Sequence, residues 1–414
     1  MSTDSRPRLR RTYAVWELTL ACNLACSHCG SRAGSARPDE MSTAQALDVV
    51  DQLAEVGIEE VTLIGGEAFL RRDWLQIAAA ITARGMRCTV TTGGYKLSAA
   101  MAHGMWEAGI TQASISIDGM AATHDALRGR TGSWESCLRT ADHLRAAGLA
   151  VACNTQVNRR TAVDLPELYD VLSSRLGIIA WQLQLTVPMG SAADHPDLLL
   201  QPPELLVVFP VISRIARRSV ADGVQVYLAN SLGYHGPDES LLRFRDSDGS
   251  WQGCQAGVTT LGIEADGAIK GCPSLPSAPY TGGNVRDRRI ADIKATAPEL
   301  TFNLRRPGAD ARDGLWGFCA TCEYADTCRG GCSWSAHTLF GRRGNNPLCH
   351  HRALTLQREG LRERLIPVGA ADGLPFDYGR FTMVTEPADA QWPPRDTARL
   401  TADAIRWPAD WPTP

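Results

Sequence analysis

The sequence predicts an α/β fold in which a partial (β/α)6 barrel is followed by a small cysteine-rich domain. Three observations carry that prediction. A unit of amphipathic helix, glycine and short apolar strand recurs between residues 12 and 190. Ten of the thirteen cysteines fall in two groups, one near the N-terminus and one after residue 253. With 414 residues, 44% hydrophobic and 21% charged, the chain can bury a core large enough for two or more domains.

Taken in order, Tyr13 to Leu20 reads as a buried strand that delivers the first cysteine loop. Ser42 and Gln45 form a capping box. Ala46, Leu47, Val50, Leu53 and Ala54 give the stripe of the helix that follows, and Gly57 stands where its C-terminal cap belongs. The next strand is Val61 to Ile64. Asp73 and Gln76 open a second helix that stops at Gly85 before the strand Arg87 to Thr92. A third runs from Ser98 to Gly109 before the strand Ala113 to Ile117. A fourth ends at Gly148 before Ala150 to Val157, and the last strand is Ala180 to Val187. Alternation of this kind implies parallel strands, right-handed crossovers and a sheet covered on its outer side.

The strand faces are polar where a closed barrel would be packed. Ser114, Ser116 and Asp118 share one face at period two, as do Asn154 with Gln156, and Gln182 with Gln184 and Thr186. A filled eight-stranded barrel carries branched apolar side chains there. The polar sets predict a hollow interior that holds a ligand.

The loop after the first strand reads Leu18-Thr-Leu-Ala-Cys22-Asn-Leu-Ala-Cys26-Ser-His28-Cys29-Gly30. Three thiolates spaced CxxxCxxC can hold three irons of a cubane cluster and leave the fourth iron without a protein ligand. A small molecule would then complete the shell, and His28 is placed to pack against it. The alternatives are a structural zinc loop or three core thiols. One strand later comes Gly65-Gly66-Glu67, two glycines that permit close backbone approach and a carboxylate able to accept from an ammonium.

Taken together, the cysteine loop and the Gly-Gly-Glu turn resemble those of the radical S-adenosylmethionine (SAM) superfamily. The resemblance implies a TIM-like barrel, a [4Fe–4S] cluster whose open iron is chelated by the SAM amine and carboxylate, and reductive cleavage of SAM to a 5'-deoxyadenosyl radical. It assigns Cys22, Cys26 and Cys29 to the cluster and Gly65, Gly66 and Glu67 to the SAM amine. Ser116 and Asp118 fall in the fourth-strand segment that meets the SAM carboxylate or ribose, and Arg128 falls where relatives place a carboxylate-binding arginine. His28, Asn154 and Gln156 complete the expected cofactor contacts. Ala68 stands where many members carry proline. Cys88, Cys137 and Cys153 have no ligand spacing and read as core thiols.

Seven more cysteines follow within 96 residues: Cys254, Cys272, Cys319, Cys322, Cys328, Cys332 and Cys349. The first two flank Gly262 to Gly271, whose Asp266-Gly267 between alternating residues predicts a tight hairpin that brings their thiols together. Zinc is the competing reading, because CxxC pairs commonly hold it, but two tetrahedral sites need eight ligands. The pattern resembles, cysteine for cysteine, the SPASM extension of radical SAM enzymes. By that resemblance Cys319, Cys322, Cys328 and Cys349 close one auxiliary [4Fe–4S] cluster, and Cys254, Cys272 and Cys332 hold another with one iron open. That makes three clusters, with no eighth cysteine between Cys254 and Cys272.

The expected organisation is a barrel over residues 1–190, a bridge over 191–253 in which Pro203 to Arg218 reads as a helix, the auxiliary-cluster domain over 254–352, and a C-terminal tail over 353–414. The tail comprises a polar helix, Ala353 to Arg364, and a stretch rich in proline and tryptophan that wraps over the barrel or stays mobile. A net charge of -3 argues against a nucleic-acid partner, and no uncharged apolar run reaches about 18 residues, which argues against a membrane span. Clustered cysteines fit a reducing, cytoplasmic compartment. Arg10-Arg11 is weak evidence for twin-arginine export, since no cleavage site follows.

Relatives with two auxiliary clusters mostly modify ribosomally made peptides. The resemblance to bacterial peptide maturases therefore implies a precursor peptide substrate that ends crosslinked, thioether-bridged, epimerised, oxidised or excised. A separate leader-binding protein, or an exposed strand edge that adds the leader as an extra strand, would hold the precursor, and a reductant such as flavodoxin or ferredoxin would be the other partner. The alternatives are a dehydrogenase of a small molecule and a non-catalytic iron–sulfur or zinc protein. No catalytic acid or base is legible.

Overall fold

In the computed structural model, residues 12–243, 249–305, 308, 310–393 and 399–411 are described; the Arg10-Arg11 pair lies outside them. The strands, in chain order, are β1 Tyr13–Glu17, β2 Glu60–Ile64, β3 Arg87–Thr92, β4 Gln112–Ser116, β5 Ala150–Val157, β6 Ala180–Leu185, β7 Gln225–Leu228, β8 Thr260–Ile263, β9 Ala268–Lys270 and β10 Thr281–Asn284. They form one sheet in the order β10-β9-β8-β1-β2-β3-β4-β5-β6-β7. Every neighbouring pair from β8 through β1 to β7 is parallel. Only β9 and β10, which fold back on β8, are antiparallel.

The connecting helices are α1 Thr43–Glu55, α2 Trp74–Ala83, α3 Ala99–Glu107, α4 Ala121–Arg128, α5 Ser133–Ala146, α6 Leu165–Asp170 and α7 Leu205–Asp222. The Ser42 and Gln45 capping box is present. A single fourth helix was expected; two are found, because Gly129 and Gly132 take positive φ values of 61° and 80° and break the run. Buried aliphatic side chains from both layers, among them Leu53, Ile77 and Leu144 of the helices and Val61, Val90 and Ile115 of the strands, make the core between sheet and helices.

Four expectations change. The first and last predicted strands are shorter, ending at Glu17 and Leu185, because the following residues turn to build loops at the barrel mouth. In the segment read as a bridge the expected helix is present as α7 and packs into the main core, and a strand that was not expected, β7, pairs with β6, which makes a further α/β unit. The sheet grows at its other side as well, where β8, between Cys254 and Cys272, pairs with β1. Finally, the predicted helix Ala353 to Arg364 stops at Arg358, and the chain then forms a hairpin of β11 (Leu361–Gly369) and β12 (Arg380–Pro387). The helical stretch Pro196–Asp222 is long and apolar enough to span a membrane by composition, but 72% of its apolar window is buried inside the fold, as in a core helix.

Register places the polar side chains in rows. Ser116 pairs with Asn154, Asn154 with Gln182, and Gln182 with Tyr227; Gln156 pairs with Gln184 one step higher. These residues are half-buried while their neighbours in sequence are buried against the helices. The inner face of β4 to β7 is therefore an uncharged polar wall.

Candidate functional site

The CxxxCxxC loop lies at the C-terminal ends of the parallel strands, pinned from several sides. The Cys22 N–H donates to Gly34 O and the Gly34 N–H to Leu20 O, both at 2.9 Å, which closes the loop's base. Gly66 and Glu67 N–H groups donate to Thr19 O and Ala21 O at 2.8 Å. The approach is so close that a Cβ on Gly65 would lie 2.3 Å from Thr19 O and one on Gly66 2.1 Å from Ala21 O. The two glycines thus serve the fit between β2 and the cysteine loop. Ala25 and Ser27 N–H groups donate to Arg128 O and Leu127 O, and Ser191 N–H to Cys29 O.

All thirteen cysteines are free thiols. Cys22 is pushed up to about 12, first by burial, with Glu67, Cys26 and Cys29 adding to the effect. Burial likewise lifts Cys26 to about 11, against the pull of Arg128. Such thiols stay protonated until a metal displaces the proton. Leu24 N–H points at Cys22 Sγ and Ala33 N–H at Cys29 Sγ, each at 3.4 Å, and Arg128 Nη1 lies 3.7 Å from Cys26 Sγ. Among the described residues no three His, Cys, Asp or Glu side chains converge on a single ion position. In a cubane each cysteine binds a different iron, so its thiolates need not converge as zinc ligands must. The loop fits an iron–sulfur cluster in donor type and spacing.

Beside the loop sits a buried polar knot. Asp118, wholly inaccessible, accepts from Arg128 Nη2, pairs with His28 Nε2 at 2.8 Å and accepts from the Gln156 N–H at 2.7 Å. Burial alone would raise its pKa, but the Arg128 guanidinium and then His28 outweigh burial and hold the carboxyl well below its usual range. His124 accepts the Asp118 N–H on Nδ1 at 3.1 Å, so its proton sits on Nε2, facing Ser133 Oγ. Burial, then Arg128, lowers His124 to about 3, keeping it neutral. Asp118 and His28 therefore anchor one another, while His28 Nδ1 and Arg128 Nε are buried without a partner among the described residues.

Glu67 differs in having no counter-ion bonded to it among the described residues. It is 2% exposed, accepts from Thr92 Oγ1 at 2.6 Å and from the Gly93 N–H at 2.5 Å, and burial raises it to about 7. A buried carboxylate held by two neutral donors has the charge to attract a cation. Asn154 and Gln156 lie half-buried on the inner face of β5, with Gln156 Oε1 accepting from Thr186 Oγ1 at 3.2 Å. Cys88, Cys137 and Cys153 are buried.

The seven later cysteines separate into two neighbourhoods. Burial first, then Cys349, Cys319 and Cys322, pushes the Cys328 thiol up, and Cys349 is lifted to about 12 by burial with help from Cys319 and Cys322. Cys332 rises to about 12 through burial, then Cys254 and Cys272; Cys272 rises to about 11 through burial and Cys254. Tyr234 and Trp251 pack between the sets, touching Cys254, Cys328, Cys332 and Cys349. Trp334 reaches toward the first loop, its indole N–H 2.9 Å from Met189 Sδ.

Three features of the site carried no local signal. Gly190, after β6, packs so closely that a Cβ would meet Cys29 O at 2.3 Å. Arg32, just past the loop, pairs with Asp194 and Asp377. His124 fixes the Asp118 backbone. Each is a contact between residues far apart in the chain or between backbone and side chain, which spacing does not reveal.

Residues 16–160 match the radical SAM superfamily. An AdoMet-dependent heme synthase of Nitratidesulfovibrio vulgaris is 30% identical over 361 residues, covering 82% of this chain and 92% of that protein. The mycofactocin maturase MftC of Mycobacterium ulcerans is 31% identical over 328 residues, covering 77% and 82%. Among solved structures, Streptococcus suis SuiB bound to S-adenosylmethionine superposes with a TM-score of 0.60 at 15% identity, over 82% of this chain and 76% of that one. The anSMEcpe structure with bound AdoMet and Cp18Cys peptide gives 0.64 at 15% identity, over 83% and 94%.

Proposed function

Because the chain belongs to the radical SAM superfamily, we propose that it is a SPASM-type enzyme that modifies a ribosomally made precursor peptide inside its partial barrel. Cys22, Cys26 and Cys29 would hold the SAM-binding cluster. Cys319, Cys322, Cys328 and Cys349 would close one auxiliary cluster, and Cys254, Cys272 and Cys332 would hold the other. When bound, cluster and SAM supply a deoxyadenosyl radical able to take hydrogen from an unactivated carbon. The protein's own contribution is placement. Glu67 receives the SAM ammonium, Arg128 is held beside Cys26 by Asp118, and the polar wall orients the substrate while the barrel excludes water.

The observation that carries the peptide reading is the row Ser116, Asn154, Gln182 and Tyr227, with Gln156 and Gln184 above it. Side-chain amides both donate and accept, which suits peptide backbone. The mycofactocin maturases support the same class, and SuiB bound to precursor peptide SuiA and anSMEcpe bound to Cp18Cys peptide are solved examples of this fold holding a peptide. Likeness to the heme synthases favours a second reading, a porphyrin-type substrate. Carboxylate side chains on such a substrate call for cations, and the wall of β4 to β7 has none on its inner face.

The test is anaerobic incubation of reconstituted protein with SAM and a low-potential reductant, offered either peptides encoded beside its gene or Fe-coproporphyrin III. A mass change or solvent-deuterium uptake in a peptide supports the proposal. A mass change in Fe-coproporphyrin III with every peptide unchanged overturns it.

A further inference from the structure

The C-terminal segment reaches the cysteine loop and the Asp118 turn through two separate ion pairs. Between β11 and β12 the connection carries Asp377, whose carboxylate is 6% exposed. It accepts from Arg32 Nε at 2.9 Å and Nη2 at 3.2 Å, and from the N–H groups of Gly373 and Leu374 at 2.6 and 3.1 Å. Asp377 O accepts the Gly190 N–H at 2.8 Å, and Gly379 N–H donates to Pro188 O at 2.9 Å. Arg32 lies three residues after Cys29 with a φ of +49°, a conformation that non-glycine residues adopt only when their surroundings impose it.

Further on, Arg406 donates from its backbone to Val163 O and from Nη1 to Asp164 Oδ1, both at 2.8 Å. Asp164 is wholly buried, and its other oxygen accepts the Met120 N–H at 2.9 Å, two residues beyond Asp118. The strap is anchored at Trp411, which packs edge-on against Tyr169, donates to Asp170 and lies under the Arg218 guanidinium at 4.7 Å.

We propose that this strap is part of the scaffold of the SAM site, with Asp377 and Arg406 as positioning residues. Asp377 holds the cysteine loop through Arg32, and Arg406 holds the Asp118 turn through Asp164. Neither group reaches the reacting atoms; each removes freedom from a loop that must present ligands in one arrangement. The proposal rests on assigning Cys22, Cys26 and Cys29 to the SAM-binding cluster, and is independent of the substrate.

Full-length D377N, D377E, R406Q, R406K and R32Q proteins, each reconstituted anaerobically, test it through SAM affinity, the electron paramagnetic resonance change of the reduced cluster on adding SAM, iron content, and hydrogen exchange. D377N and R406Q should bind SAM several-fold more weakly at unchanged iron content. Exchange should quicken in residues 22–34 for D377N and near residue 118 for R406Q, and D377E and R406K should recover much of the loss. Because Arg32 also pairs with Asp194, R32Q combined with D377N should cost no more than R32Q alone. SAM affinity and spectra equal to wild type in D377N and R406Q, or additive losses in R32Q/D377N, would overturn it. If the Cys22/Cys26/Cys29→Ala protein kept all its iron, the site assignment itself would fall, which separates the two failures.

Discussion

Glu67→Gln should make the protein more stable and less able to bind SAM. The native carboxyl is 2% exposed and its pKa rises from 4.5 to about 7 because burial penalises the anion. At 1.36 kcal/mol per pH unit, ionised Glu67 costs the SAM-free protein about 3 kcal/mol above pH 7. The sign follows from proton counting. Between about 4.5 and about 7 the native state holds a proton that the unfolded state has released, so the contribution to stability falls as pH rises and then levels off. Glutamine carries no charge; with its oxygen on the Gly93 N–H, its amide NH2 faces Thr92 Oγ1, a hydroxyl that can accept instead of donate, so E67Q should remove that decline and melt higher than wild type at pH 8. A bound ammonium would offset the same penalty in the wild type, and a buried charge-assisted bond is worth about 1.5–3 kcal/mol. SAM should therefore bind E67Q roughly 10–150-fold more weakly at pH 8, in anaerobic calorimetry on reconstituted protein. Wild-type affinity should weaken as pH drops below about 7, where Glu67 takes up a proton, and E67Q should lack that trend. Equal SAM affinity in both proteins at pH 8 would show that Glu67 does not face the amine.

Iron counting separates the cysteine sets. Wild type should reconstitute about twelve irons and the Cys22/Cys26/Cys29→Ala protein about eight, with deoxyadenosine formed by wild type alone; Mössbauer spectra and product analysis read both. Zinc in place of iron at the later cysteines would refute the auxiliary clusters. Gly66→Ala sets a Cβ 2.1 Å from Ala21 O, backbone that cannot yield locally, so the cysteine loop must move; SAM binding should be lost while the auxiliary irons remain. Asp118→Asn leaves the buried Arg128 without its counter-ion, and stability in denaturant titration should fall by about 3–5 kcal/mol. A drop of under 1 kcal/mol would mean that Arg128 finds another partner.

Much of the barrel was legible because its information is local. Helix stripes, the Ser42 cap and glycines at helix ends are short-range, and β2 to β5 lie within a residue of their expected bounds. The cysteine spacings, too, are chemistry written in order along the chain. What failed was the reading of short or weakly patterned segments. The strand β7, four residues long, sat in a stretch read as a bridge, and β11 followed so closely on a helix that its polar residues, Arg362 to Arg364, read as more helix. Their pairing partners, not their composition, make them strands.

The site divides in the same way. By itself the sequence determined which groups are present: three thiols on one loop, a Gly-Gly-Glu turn, an Asp118 and an Arg128, seven later thiols, and polar strand faces. Their types and spacings are set by covalent order, and that suffices to name the chemistry. Tertiary structure decided what each group is free to do. Asp118, expected to meet SAM, has its oxygens bonded to Arg128, His28 and the Gln156 backbone, whereas Glu67 is buried with no ion-pair partner among the described residues. The two glycines before Glu67 fit against Thr19 and Ala21, and the C-terminal segment, hundreds of residues away, holds Arg32. A side chain's protonation and availability depend on which distant groups share its low-dielectric surroundings, and only the folded chain brings those groups together.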